Sequence, residues 1–215
     1  MKIPARFLLL PTLFILSLGP LLAGDNLLTN GDFESGEGGW APFIPEDAKN
    51  SDCKYAVTET APHGGAQAGE ISCATDARFA IVTYVKGHEF ANGTRYRVSA
   101  WVKTGADFQP AAGTPGYVLR ISMFADEGTT QGTDDSLFYL GTGNTAVRSA
   151  DASPLNNQDC PKEWTRLEGV FDVSPGTAKL NVCLFIWKGT GSMFIDDVVL
   201  EQVDESVPVS PVTTP

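Results

Sequence analysis

The chain has 215 residues, and its 26 acidic against 15 basic residues give a net charge of −11 at neutral pH. Nucleic acids and anionic membrane surfaces reward basic patches, so this balance argues against both as partners, and densely charged polyanions are repelled as well. With two histidines and four cysteines, a histidine-rich zinc or copper centre is also excluded.

In chain order, Lys2 and Arg6 precede an apolar run from Phe7 to Leu18 and a small-residue site at Ala23-Gly24, which marks residues 1–24 as an export signal. Position 25 is Asp, where a lipid-anchored protein would need cysteine. The expectation is release, to the extracellular space or the periplasm, without membrane insertion. Losing Lys2 and Arg6 leaves 13 basic against 26 acidic residues, a net charge of −13. Residues 25–203 then read as one domain, and residues 204–215, with Pro208, Pro211 and Pro215, as a disordered Pro/Thr-rich tail.

Within the domain period-two alternation recurs and helical periodicity is nowhere sustained, so the fold class is all-β. Predicted strands run from Leu27 to Glu34, Trp40 to Phe43, Lys54 to Thr58, Ala68 to Cys73, Arg78 to Val85, Arg95 to Lys103, Tyr117 to Ala125, Arg166 to Val173, Ala178 to Trp187 and Met193 to Glu201. Ten such segments suit a two-sheet antiparallel β-sandwich. Tyr96, Val98, Ala100 and Val102 fall on one strand face, as do Leu180, Val182, Leu184 and Ile186, and both sets are expected in the core. The opposite face of the later strand carries Asn181, Cys183, Phe185 and Trp187, an aromatic stripe that is costly unless something covers or binds it. Between Asp126 and Lys162 lies a stretch rich in Gly, Thr, Asp, Asn and Ser, with only Leu137 to Leu140 strand-like, too long for an ordinary connection. Cys53 and Cys73 lie symmetrically about the turn at Ala61-Pro62-His63-Gly64-Gly65, so they are expected to pair, and Cys160 with Cys183 then pairs by elimination.

The segment Asn26-Leu27-Leu28-Thr29-Asn30-Gly31-Asp32-Phe33-Glu34 with Gly39-Trp40, the strand from Gly93 to Lys103, the hairpin around Trp164 to Val173, and Phe194-Ile195-Asp196-Asp197-Val198-Val199-Leu200 occur in that order. Together they resemble the carbohydrate-binding modules of the family 4, 9 and 22 type found on cellulases and xylanases. The resemblance implies a jelly-roll sandwich with a structural calcium joining the two ends of the domain. Its ligands would be backbone oxygen at Asp32, the Gly65 carbonyl and Asp196, with Glu34 as an additional carboxylate, the hard oxygen donors that calcium takes. It also implies a cleft for a polysaccharide or oligosaccharide in which Phe43 is an aromatic platform, Arg120 a cleft cation and Asn181 a cleft amide. Alternation adds Phe124, Phe185 and Trp187 to that face, with Tyr84 and Tyr139 as flanking residues. Trp40, Trp101 and Trp164 read as structural.

The expected function is non-catalytic binding of a glycan, a neutral β-glycan by charge, by a monomer. No Gly-x-Ser-x-Gly element is present. The alternatives are a polysaccharide lyase or glycoside hydrolase on the same sandwich, since fold does not fix function, and a structural or adhesive surface protein.

Overall fold

The computed structural model describes residues 24–45, 48–49, 51–126, 137–140, 146–148 and 160–211. Residues 1–23 of the expected export signal, most of the 126–162 stretch and the last four residues lie outside the described residues.

Ten strands run antiparallel: β1 (Ala41–Phe43), β2 (Cys53–Thr58), β3 (Ala68–Val85), β4 (Arg95–Thr104), β5 (Gln109–Pro110), β6 (Tyr117–Phe124), β7 (Leu137–Leu140), β8 (Ala146–Arg148), β9 (Thr165–Asp172) and β10 (Lys179–Val203). Two pairs of predicted strands merge, so that β3 has 18 residues and β10 has 25. Strands of that length serve both layers. In the first layer, β1 flanks the C-terminal half of β3, which pairs with the N-terminal half of β10, followed by β6, β7 and β8. In the second, β2 flanks the N-terminal half of β3, followed by the C-terminal half of β10, β4 and β9. The backbone passes between layers where the β10 register shifts, between Ile186 and Gly191, and β5 pairs there with Gly189 and Thr190. Gly191 has φ 93°, and a Cβ on it would stand 2.6 Å from the Asp107 carbonyl oxygen. The corner therefore needs glycine at that position, both for the backbone and for the close approach.

Alternation places the core as expected. Tyr96, Val98, Ala100 and Val102 are all buried, as are Leu180, Val182, Leu184 and Ile186, and they meet Phe79, Ile81, Leu119, Ile121 and Phe171 between the layers.

The predicted strand from Leu27 to Glu34 is not one. That segment is a succession of turns, with positive φ at Asn30, Phe33, Gly36 and Gly39. The reason is local polar chemistry. The Asn30 amide nitrogen donates to the carbonyls of Gly36 and Gly38, both at 2.8 Å, its amide oxygen accepts from the Ser35 N–H, and its carbonyl accepts from Trp40 Nε1 at 2.9 Å. A side chain that satisfies this many backbone groups competes with a ladder. The segment still touches the other end of the domain, through Leu27 N–H to Leu200 O and Val198 N–H to Gly31 O, each 2.8 Å.

The tail also differs from expectation over its described part. Arg95 Nη1 donates to the carbonyls of Glu205 and Val207, and Ser210 exchanges hydrogen bonds with Val170 at 2.9 Å, so residues 204–211 are held along the outer edge of β9.

Cys53 faces Cys73 across the β2–β3 ladder and is bonded to it. The expected Cys160–Cys183 bond is not made. Cys183 is a free, buried thiol on the outer side of the first layer, whereas Cys160 packs against the cluster between the layers. The elimination argument failed because it ignored the side of the sheet on which each sulfur lies. Two outcomes are expected. Replacing Cys53 and Cys73 together by serine should lower stability by about 3 kcal/mol, the scale for a loop of roughly this length, read from chemical denaturation. Cys183 should resist alkylation in the native protein and react on unfolding without prior reduction, which mass spectrometry detects.

Candidate functional site

The outer side of the first layer collects every residue expected to contact a ligand. Register sets the rows: Phe43 lies opposite Ala80, which lies opposite Phe185 and then Val118. The next row runs Val82, Cys183, Arg120, Tyr139, and the one after it Tyr84, Asn181, Ser122. Because each strand alternates, Trp187 and Phe124 extend the same face at its two ends.

The face is layered in depth. Ala80, Val82, Val118, Tyr139, Cys183 and Phe185 form a small buried cluster of their own, with Phe43 and Trp187 half-buried against it. Phe124 is buried too, whereas Tyr84 remains 42% exposed. The rings meet edge to face, Phe43 with Phe185 at 5.9 Å, Phe185 with Trp187 at 5.4 Å and Tyr139 with Trp187 at 6.0 Å, the offset geometry that aromatic quadrupoles favour.

Cations sit on these rings. The Arg120 guanidinium lies 4.8 Å from the Phe185 centroid and 5.4 Å from that of Phe43, Arg78 lies 5.2 Å from Trp187, and Lys179 lies 4.6 Å from Phe124 and 5.5 Å from Tyr84. The sequence reading missed Arg78 and Lys179. The signal was present, because Arg78 alternates with Ala80, Val82 and Tyr84, and Lys179 with Asn181. Arg120 Nη2 also donates to Cys183 Sγ at 3.5 Å. Burial lowers the Arg120 pKa, and contacts with Cys183 and Tyr139 outweigh that and leave it raised. Burial pushes the Cys183 thiol up, with Arg120 opposing.

On this face Arg120 Nε and Asn181 Oδ1 are buried without a hydrogen-bond partner among the described residues. A buried donor or acceptor left unmade costs about 1–3 kcal/mol. A donor and an acceptor offset by two residues on neighbouring strands, in an aromatic setting, suit a ligand that offers hydroxyl groups, each able to donate and accept.

Of the residues expected to hold calcium, Asp196 and Glu34 both accept from backbone N–H groups of the turn that contains Gly65. Asp196 is fully buried, and its Oδ2 accepts from the backbone N–H groups of His63 at 2.8 Å and Gly64 at 3.1 Å, while Oδ1 accepts from Asp197 N–H at 2.8 Å. Burial raises the Asp196 pKa against the pull of those three donors. Glu34 Oε1 accepts from Ala66 N–H at 2.7 Å and Gln67 N–H at 2.9 Å, and it lies against Gly65, where any Cβ would collide with it. Asp32 and Asp197 line a crevice of about 180 Å³ with Asn30 and Val198. Among the described residues no three His, Cys, Asp or Glu side chains form a metal cluster, so a cation here would draw on backbone carbonyls. The donor set fits a hard ion in two respects: Glu34 Oε2 has no donor among the described residues, and Asp196 is a buried carboxylate with no cationic side chain against it.

Of the three tryptophans read as structural, Trp40 is buried and stacks on Phe33 at 5.3 Å. Trp101 and Trp164 are half-buried on the outer side of the second layer, where the His63 ring stacks on Trp101 at 4.0 Å and its Nδ1 meets Asp197 Oδ2 at 2.6 Å. Among the described residues no helix is long and apolar enough to cross a membrane.

Comparison with known proteins bears on the fold. The CBM22-1 xylan-binding domain of Xyn10C from Paenibacillus barcinonensis superposes with a TM-score of 0.52 at 20% identity, covering 86% of this chain and 98% of that one. A CBM4 structure gives 0.51 at 13% identity, covering 81% and 99%. The enzymatically active domain of tailspike protein 4 of bacteriophage CBA120 gives 0.53 at 14% identity, covering 83% of this chain, which spans only 21% of the tailspike. At these identities the likeness is one of fold. A search of curated protein sequences gives no match. Residues 25–114 match the sequence profile of the carbohydrate binding domain family CBM_4_9, and the strands around them complete the jelly-roll fold of carbohydrate-binding modules.

Proposed function

We propose that this protein is a secreted, non-catalytic carbohydrate-binding protein that takes a polysaccharide chain, a neutral β-glycan, on the outer face of the first layer. The observation that carries the reading is that Arg120 Nε and Asn181 Oδ1, set among aromatic rings on that one face, are buried without a hydrogen-bond partner among the described residues. Flat rings pack on the C–H surfaces of pyranoses, and a few fixed polar groups select hydroxyls. Phe43, Trp187 and Tyr84 are the rings with surface left to offer. Phe124, Phe185 and Tyr139 are buried and act as the layer that holds them and Arg120 in place. The net charge of −11 favours a neutral chain.

A structural calcium at the junction of the chain ends belongs to the same reading. Asp196 and Glu34 would hold it with backbone oxygens near Asp32 and Gly65, and the ion would offset the buried charge of Asp196. The protein acts as a monomer in this reading, since a binding face of this kind is complete within one chain.

The fold shared with a tailspike's enzymatically active domain supports an enzyme as the second reading. One assay separates them: the protein is passed over immobilised neutral and acidic polysaccharides, and the eluate is tested for released sugars. Retention on a neutral glycan without products is the expected result. Soluble products identify an enzyme, and absence of both overturns the carbohydrate reading in favour of an adhesive protein with a protein partner.

A further inference from the structure

The outer side of the second layer carries a separate cleft of about 620 Å³, within the range of small-molecule sites. Its floor is Phe194 of β10, half-buried, and its walls include Thr60, Lys103, Asp107, Lys162 and Ser192. Lys103 on β4 lies directly opposite Phe194 in the ladder, so the ammonium stem and the ring rise side by side. Lys162 is anchored at the rim, where its Nζ donates to the Gly105 carbonyl at 2.6 Å and to Thr104 Oγ1 at 3.3 Å. Asp107 Oδ1 is tied to the Ser192 N–H at 3.4 Å. Glu70 flanks Phe194 from β3 on its other side and does not line the cleft.

The charge arrangement is the informative part. In a chain where acidic residues outnumber basic ones 26 to 15, this cleft gathers two ammonium groups against one carboxylate. Lys103 has no ion pair or hydrogen bond among the described residues, whereas Arg97 and Arg166 on the same side of the sandwich are paired with Glu201 and Glu168. An aromatic floor, a carboxylate that accepts from hydroxyls and an unengaged ammonium together specify a pyranose that carries one carboxylate.

We propose that this cleft is a second carbohydrate site, distinct from the face bearing Arg120, and that it takes a uronic acid unit. Phe194 packs on the C–H face of the sugar, Lys103 pairs with its carboxylate, and Asp107 and Thr60 take hydroxyls. The overall negative charge disfavours a polymer charged at every unit, so the ligand class is a largely neutral glycan with isolated uronic acid substituents. The site does not depend on the reading of the other face.

The test uses methyl glucuronide and methyl glucoside, which differ only at the C6 carboxylate, titrated into the folded protein while backbone amide resonances are followed. The glucuronide should shift the amides of Lys103, Gly105, Asp107, Ser192 and Phe194, and bind about tenfold more tightly than the glucoside, the scale of one charge-assisted contact. Lys103→Met should remove that preference while leaving retention on a neutral polysaccharide unchanged, and Phe194→Ala should weaken both sugars at the cleft. Shifts confined to the Arg120 face, equal binding of the two sugars, or a preference that survives Lys103→Met would each overturn the proposal. Should Phe194→Ala fail to fold, Lys103→Met alone decides, because its side chain is only half-buried and its removal leaves the ladder intact.

Discussion

Replacing Asp196 by alanine is expected to lower stability by about 1–3 kcal/mol, because it removes the buried carboxylate that accepts from three part-buried N–H donors, those of His63, Gly64 and Asp197. That loss belongs to the carboxylate whether or not a cation is present, so it does not by itself test for calcium. The chelator does. If the ion joins the chain ends, a calcium chelator lowers the melting temperature of the native protein, and re-adding calcium restores it in proportion to the logarithm of its concentration, since a ligand that binds only the folded state must stabilise it. At calcium one hundred times its dissociation constant the gain is about 2.7 kcal/mol. Asp196→Asn, which keeps the shape and one acceptor oxygen, should lose this response while remaining folded. A melting temperature indifferent to chelation in the native protein would remove calcium from the account and leave Asp196 as the hydrogen-bonded anchor of the 63–67 turn.

Removal of Trp187 or Arg120 by alanine substitution is expected to weaken retention on a polysaccharide by about 1–3 kcal/mol, the scale of losing one contact-centre anchor. Trp187 is the half-buried ring that ends the aromatic row, and its loss exposes one edge of Phe185 and of Tyr139 without opening the interior. Arg120 Nε has no hydrogen-bond partner among the described residues, so its removal takes away a donor that a ligand hydroxyl could meet. Phe185→Ala provides the contrast. That ring is only 1% exposed, and its deletion should cost about 3–5 kcal/mol of stability, with any loss of binding following from unfolding. Affinity electrophoresis beside chemical denaturation reads the two effects separately. If Trp187→Ala and Arg120→Ala unfold the protein as Phe185→Ala does, while retention per folded molecule is unchanged, the whole face is interior packing and does not bind glycans.

The amino-acid sequence by itself determined which side chains share a face. Alternation is a property of the extended backbone, so Asn181, Cys183, Phe185 and Trp187 had to lie together once that segment was a strand, and the same rule put Arg120 with Phe124 and left Val98 and Val102 for the core. It also contained the Cys53–Cys73 bond, because two cysteines equidistant from a tight turn meet across a hairpin whatever the rest of the chain does. Tertiary structure alone decided the remainder. Whether the aromatic face is open or filled depends on cations from three different strands, Arg78, Arg120 and Lys179, and no local pattern encodes their convergence. Cys160 and Cys183 looked like partners only because distance along the chain says nothing about sides of a sheet. The turn at Asn30 replaced an expected strand because one amide satisfied more backbone groups than a ladder would have, a competition that apolar periodicity does not register. Last, the cleft beside Lys103 and Phe194 exists because β4 and β10 lie in one register and the 105–108 turn folds over them, which fixes the place of a second site only once the chain is assembled.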